Sequence, residues 1–322
     1  MTTFKEIRGT AIQSVSTDPS NPETGQIWYN STTAQLKGYQ TGGTWASGGN
    51  LSSARYGQGN AGTQTAAAYF GGNGSSSYMS ATEEYDGTSW TGGGNLGTAR
   101  ARLTGCGLQT SALAFGGFVG VAGVTNTEEY DGSSWTAGGA MGTARQVLTG
   151  CGTQTVAAAF GTANPLSAVT EEYNGTSWTA SGNMITARYS LAGAGTQTSA
   201  LGFGGYVSAS YKIVKLTEEY DGTSWTAGGN METARNGLAG AGTQTAALGF
   251  GGYTTAAPGV ANTEEYNGTS WTAGGNLTVA RYFLAGCGTQ TAGLAFGGFN
   301  TAHSASTEEY TSGLQTRVIK VS

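Results

Sequence analysis

Apolar residues along this chain come in short groups separated by glycine and polar turns. They never hold a period of about 3.6 residues over a full window, so no helix is predicted. The groups recur as units of four short strands. In one unit the first strand is small and Gly/Ala-rich (Leu191, Ala192, Gly193, Ala194, Gly195). The second is Ala200-Leu201-Gly202-Phe203 followed by Gly204-Gly205, the third is Thr217-Glu218-Glu219-Tyr220, and the fourth carries Trp225. Between third and fourth strands stands Asp-Gly or Asn-Gly, as at Asp86-Gly87, Asp131-Gly132, Asn174-Gly175, Asp221-Gly222 and Asn267-Gly268. That pair predicts a two-residue hairpin of type I′. Gly-Thr-Gln-Thr between the first and second strands is a second turn signal.

The unit repeats. Trp45, Trp90, Trp135, Trp178, Trp225 and Trp271 are 43 to 47 residues apart. Ten residues after each comes an arginine: Arg55, Arg100, Arg145, Arg188, Arg235 and Arg281. Nineteen after each comes a glutamine, and twenty-five after each a phenylalanine. These offsets hold in all six copies. Length variation falls in one place, between the double glycine and the Thr-Glu-Glu-Tyr block, where 7 residues (163–169) to 11 (206–216) occur. Four antiparallel strands at this period predict the blades of a closed, all-β propeller. Small residues on the first strand suit the crowded axis, and Trp on the fourth suits the splayed outer edge.

About 46 residues per unit favours seven blades, with a divergent first blade drawn from the N-terminal region and its inner strand from residues 7–15. Residues 314–321 then supply the fourth strand of the last repeat. The alternative is six blades, with the Trp45 strand completing the last blade as a clasp and residues 1–34 forming a separate arm. The propeller itself is expected over residues 35–322. Either closure removes exposed strand edges.

Composition narrows the function. The chain has 322 residues, 57 of them glycine, without the three-residue period of collagen. Seven Trp, sixteen Tyr and ten Phe supply a core. Net charge is −5 and no Lys/Arg cluster occurs, which argues against a nucleic-acid groove. No apolar run is long enough to span a bilayer, so no membrane insertion is expected. The start carries Lys5, Glu6 and Arg8 and lacks the apolar stretch of a signal peptide, so synthesis in a cytoplasm is expected.

Double glycine, Glu-Glu-Tyr-Asp, Trp, and an Arg opening the next unit together resemble the kelch motif, over residues 36–310. Two departures are Phe160-Gly161-Thr162, where the second glycine is lost, and the last copy, where no Trp follows Tyr310. The stretch from Pro22 through Ile27-Trp28-Tyr29-Asn30 to Thr33, then Leu36-Lys37-Gly38-Tyr39, is similar to segments of bacteriophage tail and fibre proteins. That resemblance implies a virion protein of a tailed phage, a structural or adhesion protein of tail, fibre or capsid surface. Its implied partners are other virion proteins, a host receptor or a glycan. A cellular kelch module for protein–protein contact, or a glycan-cleaving propeller enzyme, would be the competing readings.

Candidate chemistry is sparse. Twelve of nineteen acidic residues sit in the Thr-Glu-Glu-Tyr blocks, two per copy, so they are expected to pair with the six arginines rather than to flank a scissile bond. Adjacent strand residues point to opposite faces, so the two glutamates of a block need two roles. Cys106, Cys151 and Cys287 occupy a position held elsewhere by Ala61, Ala194 and Ala241, which reads as a small buried residue. His303 is the only histidine, so neither a histidine triad nor a multi-histidine metal site is expected. No catalytic residue, metal or cofactor is predicted. Function is expected where the repeats differ. The candidate binding residues are Tyr78, Met79, Phe118, Val119, Tyr206, Tyr211, Tyr253 and Phe299 in the variable loops, with Tyr56, Tyr189 and Tyr282 after the arginines.

Overall fold

The computed structural model describes residues 12–20, 26–207 and 212–318. The chain forms two compact units: Met1–Gly43 with Ser312–Ser322, and Thr44–Thr311. Two long strands, Gln35–Ser47 and Thr307–Val318, run through both. The expected division fell at residue 34. Residues 7–11, 22–25, 319–321 and Tyr211 of the sequence reading lie outside the described residues.

The larger unit is all β. Five four-stranded antiparallel sheets follow one another in the chain, with first strands Gly59–Gly62, Thr104–Leu108, Thr149–Gly152, Ala192–Thr196 and Ala239–Gly242. A sixth opens with Ala285–Gly288 and Ala292–Phe296 and continues into residues 307–311. The strand beside it is the one carrying Trp45. Gly48 N donates to Thr307 O at 2.9 Å, as Gly274 N donates to Thr263 O in the fifth sheet at 2.9 Å. Trp45 therefore stands where the fourth-strand Trp stands in the other sheets. Residues 314–318 extend the third strand of this sheet, correcting the expectation of a separate fourth strand there. No seventh four-stranded sheet occurs among the described residues.

The small residues of the first strands have a steric cause. A Cβ on Gly105 would lie 2.4 Å from Phe70 Cζ, and one on Gly286 would lie 2.3 Å from Phe250 Cζ. Each phenylalanine thus fills the space against the next sheet's first strand. Each hydrophobic cluster spans two neighbouring sheets, as where Cys106, Leu113 and Phe115 pack on Leu148, Tyr173 and Trp178.

Polar contacts tie each sheet to the next. Each fourth-strand indole donates to a third-strand threonine of the preceding sheet at 2.9 Å: Trp135 to Thr82, Trp178 to Thr127, Trp225 to Thr170 and Trp271 to Thr217. The series continues with Trp45 to Thr263 and returns with Trp90 to Thr307. The second glutamate of each block accepts from the tyrosine of the following sheet, as Glu129 from Tyr173 at 2.6 Å and Glu309 from Tyr85 at 2.6 Å. The first glutamate faces its own arginine; Arg235 Nη2 lies 2.9 Å from Glu264 Oε1, and both side chains are buried. All six arginines make this pair. Each Gln of the Gly-Thr-Gln turn reaches back to two carbonyls of the preceding sheet, as Gln154 to Ala112 and Tyr130.

The Asp-Gly segments differ from the predicted hairpin. Tyr85 pairs with Trp90, so the loop is four residues long. Asp86 Oδ1 accepts from Thr88 N at 2.8 Å and Ser89 N at 2.7 Å, and Gly87 takes φ +93°. The side-chain acceptor closes a wider turn than the two-residue form.

In the smaller unit, Ile27–Asn30 pairs antiparallel with Gln35–Gly38 and parallel with Gln13–Val15. Asp18 accepts from Trp28 Nε1, Asn30 Nδ2 and Lys37 Nζ at 3.0, 2.6 and 2.7 Å.

Candidate functional site: a ring of strained residues around a cavity

Two residues after each arginine the backbone turns left-handed. Gly57, Arg102, Val147, Ser190, Gly237 and Phe283 have φ of +64°, +56°, +56°, +52°, +56° and +50°. Their amides join head to tail. Arg102 N donates to Gly57 O, Val147 N to Arg102 O at 2.9 Å, and Ser190 N to Val147 O at 3.1 Å. Gly237 N donates to Ser190 O at 2.8 Å, Phe283 N to Gly237 O at 2.7 Å, and Gly57 N to Phe283 O at 3.3 Å, which closes the circle. A left-handed conformation costs an L-residue roughly 1–2 kcal/mol, so only two of the six positions are held without strain. The circle of hydrogen bonds holds the other four.

Inside the first strands lies a cavity of about 740 Å³, to which all six sheets contribute. The repeat is broken here. Where other sheets place leucine (Leu103, Leu148, Leu191, Leu238, Leu284), the first places Gln58. Where others place glycine, it places Asn60. Arg102, Thr104 and Thr149 add polar side chains from the second and third sheets, beside Leu103, Val147 and Leu148. Ala192, Ala239, Leu238, Leu284 and Phe283 add apolar surface from the other three.

No aspartate or glutamate lines the cavity. Arg102 is exposed and forms no ion pair among the described residues. Its Nη1 donates to Gln146 Oε1 at 3.1 Å, and its guanidinium carbon sits 5.1 Å from the centre of the Phe118 ring. Gln58 is buried; its Nε2 reaches Phe283 O at 3.4 Å, while its Oε1 has no hydrogen-bond partner.

The variable loops meet the same rim. In five of the six sheets the residue after the arginine bridges to the residue after the double glycine: Tyr56 with Asn73, Ala101 with Phe118, Tyr189 with Tyr206, Asn236 with Tyr253, and Tyr282 with Phe299. Rings accumulate where the sixth sheet meets the first. Tyr56 lies 5.6 Å from Phe299, 5.2 Å from His303 and 6.2 Å from Phe283. Tyr282 joins Phe283, Phe299 and Tyr253 to this group at 5.3 to 5.7 Å. A cleft of about 520 Å³ beside it is lined by Tyr56, Asn73, Ser75, Tyr78, Phe299 and His303 among others, and His303 Nε2 is buried without a partner.

Among the predicted binding residues, Tyr56, Tyr253, Tyr282 and Phe299 come together in that aromatic group. Tyr189 meets Tyr206 in a tilted pair at 5.2 Å, and Tyr78 meets Phe118 at 5.8 Å. Val119 is exposed in its loop. Met79 is half-buried and turns its sulfur to Arg55 Nη1 at 3.9 Å, in a packing role. Sequence reasoning missed Gln58, Asn60, Arg102 and Phe283. Their signal was present as departures from the repeat in the five residues after each arginine.

The repeat arginines and cysteines are occupied otherwise. Burial pulls the Arg235 pKa down, and the Glu264 carboxylate pulls it back up. Burial pushes the Cys151 thiol up to about 12. Among the described residues no group of three or more His, Cys, Asp or Glu is placed to hold a metal ion, and no helix is long and apolar enough to cross a membrane. The chain matches no protein-family model, and no curated protein sequence is significantly similar to it.

Proposed function

We propose that the larger unit is a closed six-bladed propeller of kelch type. We further propose that it is a non-enzymatic recognition module, whose variable rim contacts a receptor, glycan or neighbouring subunit. Five four-stranded sheets and a sixth repeat completed by the Trp45 strand, the cyclic series of Trp–Thr contacts and the circle of amides through Gly57 and Phe283 support the blade count. The observation that carries the recognition reading is where the copies differ. Sheets that agree at nearly every Arg, Glu, Trp and Tyr diverge at the residues after the arginine and in the adjoining loops. There they gather half-buried aromatic rings and one exposed, uncompensated guanidinium. Invariant side chains are spent on holding sheets together, as the Arg–Glu and Tyr–Glu contacts illustrate, so the repeated carboxylates serve structure rather than catalysis.

The phage-fibre-like segment around Trp28 makes a virion of a tailed phage the proposed location. Mass spectrometry of purified virions is expected to detect the chain in stoichiometric amounts. Its absence from intact particles would remove the virion assignment. A glycan array probed with the isolated protein tests the binding function, with a Tyr56→Ala, Phe299→Ala variant as control.

A further inference from the structure

The polar side chains of the cavity lining specify a ligand more narrowly than the aromatic rim does. Arg102 is exposed and lines a cavity without carboxylates, on a protein of net charge −5. Only one of its nitrogens is engaged, by Gln146, and Phe118 lies beneath its plane. A guanidinium so held is oriented for an anion, and charge-assisted hydrogen bonds to a carboxylate are the strong ones. Next to Arg102 in the amide circle is Gly57, and Gln58 follows Gly57 in the chain. Gln58 is buried, lines the cavity and leaves Oε1 without a donor. Buried polar atoms are rarely left so, and a hydroxyl would satisfy this one. Asn60 also lines the cavity and gives its Nδ2 to Gly286 O at 2.7 Å. Across the cavity, Phe283, Leu238 and Ala239 offer an apolar surface.

Resting on the reading of this rim as a binding face, we propose that the cavity takes a carboxylated sugar. Its carboxylate sits on Arg102, a ring hydroxyl donates to Gln58 Oε1, and the apolar face of the ring lies toward Phe283 and the leucine–alanine wall. A neutral sugar would leave Arg102 unanswered. A simple inorganic anion would use neither Gln58 nor the apolar wall. The volume of about 740 Å³ holds more than one sugar residue.

Isothermal titration of the full chain against the methyl glycosides of glucuronate, galacturonate and N-acetylneuraminate tests this. The methyl esters of the same sugars, sodium acetate and inorganic phosphate serve as comparison arms. At least one acid is expected to bind, its ester at least about tenfold more weakly, with acetate and phosphate failing to compete at equal concentration. Arg102→Gly removes the guanidinium at a φ glycine adopts freely, so it is expected to keep its melting temperature and lose about tenfold or more in affinity. Gln58→Leu restores the residue of the other sheets and is expected to weaken binding severalfold without loss of stability.

The proposal is overturned if none of the three acids binds, if ester and acid bind alike, if phosphate competes equally, or if Arg102→Gly binds as wild type. Neutral glycans retained on the array, lost in the Tyr56/Phe299 variant but not in Arg102→Gly, would sink this ligand assignment while leaving the recognition face standing.

Discussion

Trp225→Ala probes the seam between the third and fourth sheets. The indole is 5% exposed, its centre lies 4.8 Å from the Phe160 ring and 5.0 Å from the Tyr220 ring, and its N–H donates to Thr170 Oγ1 at 2.9 Å. Phe160 and Thr170 belong to the neighbouring sheet, so truncation opens a cavity that neither sheet can fill alone. Trp→Ala in a packed core costs about 3–5 kcal/mol, and stranding the Thr170 hydroxyl adds to the upper end. With an unfolding entropy of about 2.1 cal/mol/K per residue, a unit of roughly 270 residues loses about 0.6 kcal/mol per degree near its midpoint. The expected fall in melting temperature is therefore about 5–9 °C, read by scanning calorimetry or near-ultraviolet circular dichroism. Thr170→Val alone leaves the indole N–H buried and unanswered, at about 1–3 kcal/mol. In the double variant the two losses should not add, because the hydroxyl and its donor are both gone. A fall of less than about 2 °C for Trp225→Ala, or strict additivity in the cycle, would refute a sealed indole bridging two sheets.

Four further outcomes are expected. Arg235→Met leaves Glu264 buried and unpaired and should cost about 3–5 kcal/mol in chemical denaturation, while Arg235→Met with Glu264→Gln should cost less. Tyr85, Tyr130, Tyr173, Tyr220 and Tyr266 have hydroxyl pKa values raised to about 12 by burial and by donation to glutamates. A raised folded value stabilises fully below the ordinary value of 10.0 and is lost as pH climbs toward 12, so spectrophotometric titration near 295 nm should show tyrosine ionisation delayed until unfolding begins. Asp86, Asp131 and Asp221 are held well below the usual carboxylate range, Asp86 and Asp221 chiefly by backbone donors and Asp131 chiefly by the Ser133 hydroxyl. Their contribution is present above the unfolded pKa and fades as pH falls through the folded one, so the triple Asp→Asn variant, matching Asn174 and Asn267, should unfold at lower pH than wild type in an acid titration. Cys106, Cys151 and Cys287 are buried with raised thiol pKa values, so a thiol reagent should label them only after denaturant is added.

Much of this architecture is written in fixed offsets. Trp at zero, Arg at ten and Phe at twenty-five are readable because the same local unit recurs, and each strand assignment needs only neighbouring residues. The two roles of Glu264 and Glu265 follow from strand alternation, which any single sheet imposes. The equivalence of Cys and Ala likewise predicts a small buried site, and Cys106 is buried among Leu113, Phe115 and Leu148. Contacts that depend on which sheets become neighbours were left open. The sequence offered the Trp45 strand as a clasp on the last repeat only as the alternative to seven blades, because no local pattern fixes how the chain ends meet; the structure places that strand beside the one carrying Tyr310. The amide circle through Arg102 and Phe283 needs six left-handed residues at once, and nothing in Val147 or Ser190 announces that conformation. The cavity is likewise a property of six first strands facing one another. Gln58, Asn60 and Arg102 lie on two repeats, and only the packing of one sheet beside the next brings these three exceptions to the lining of one cavity.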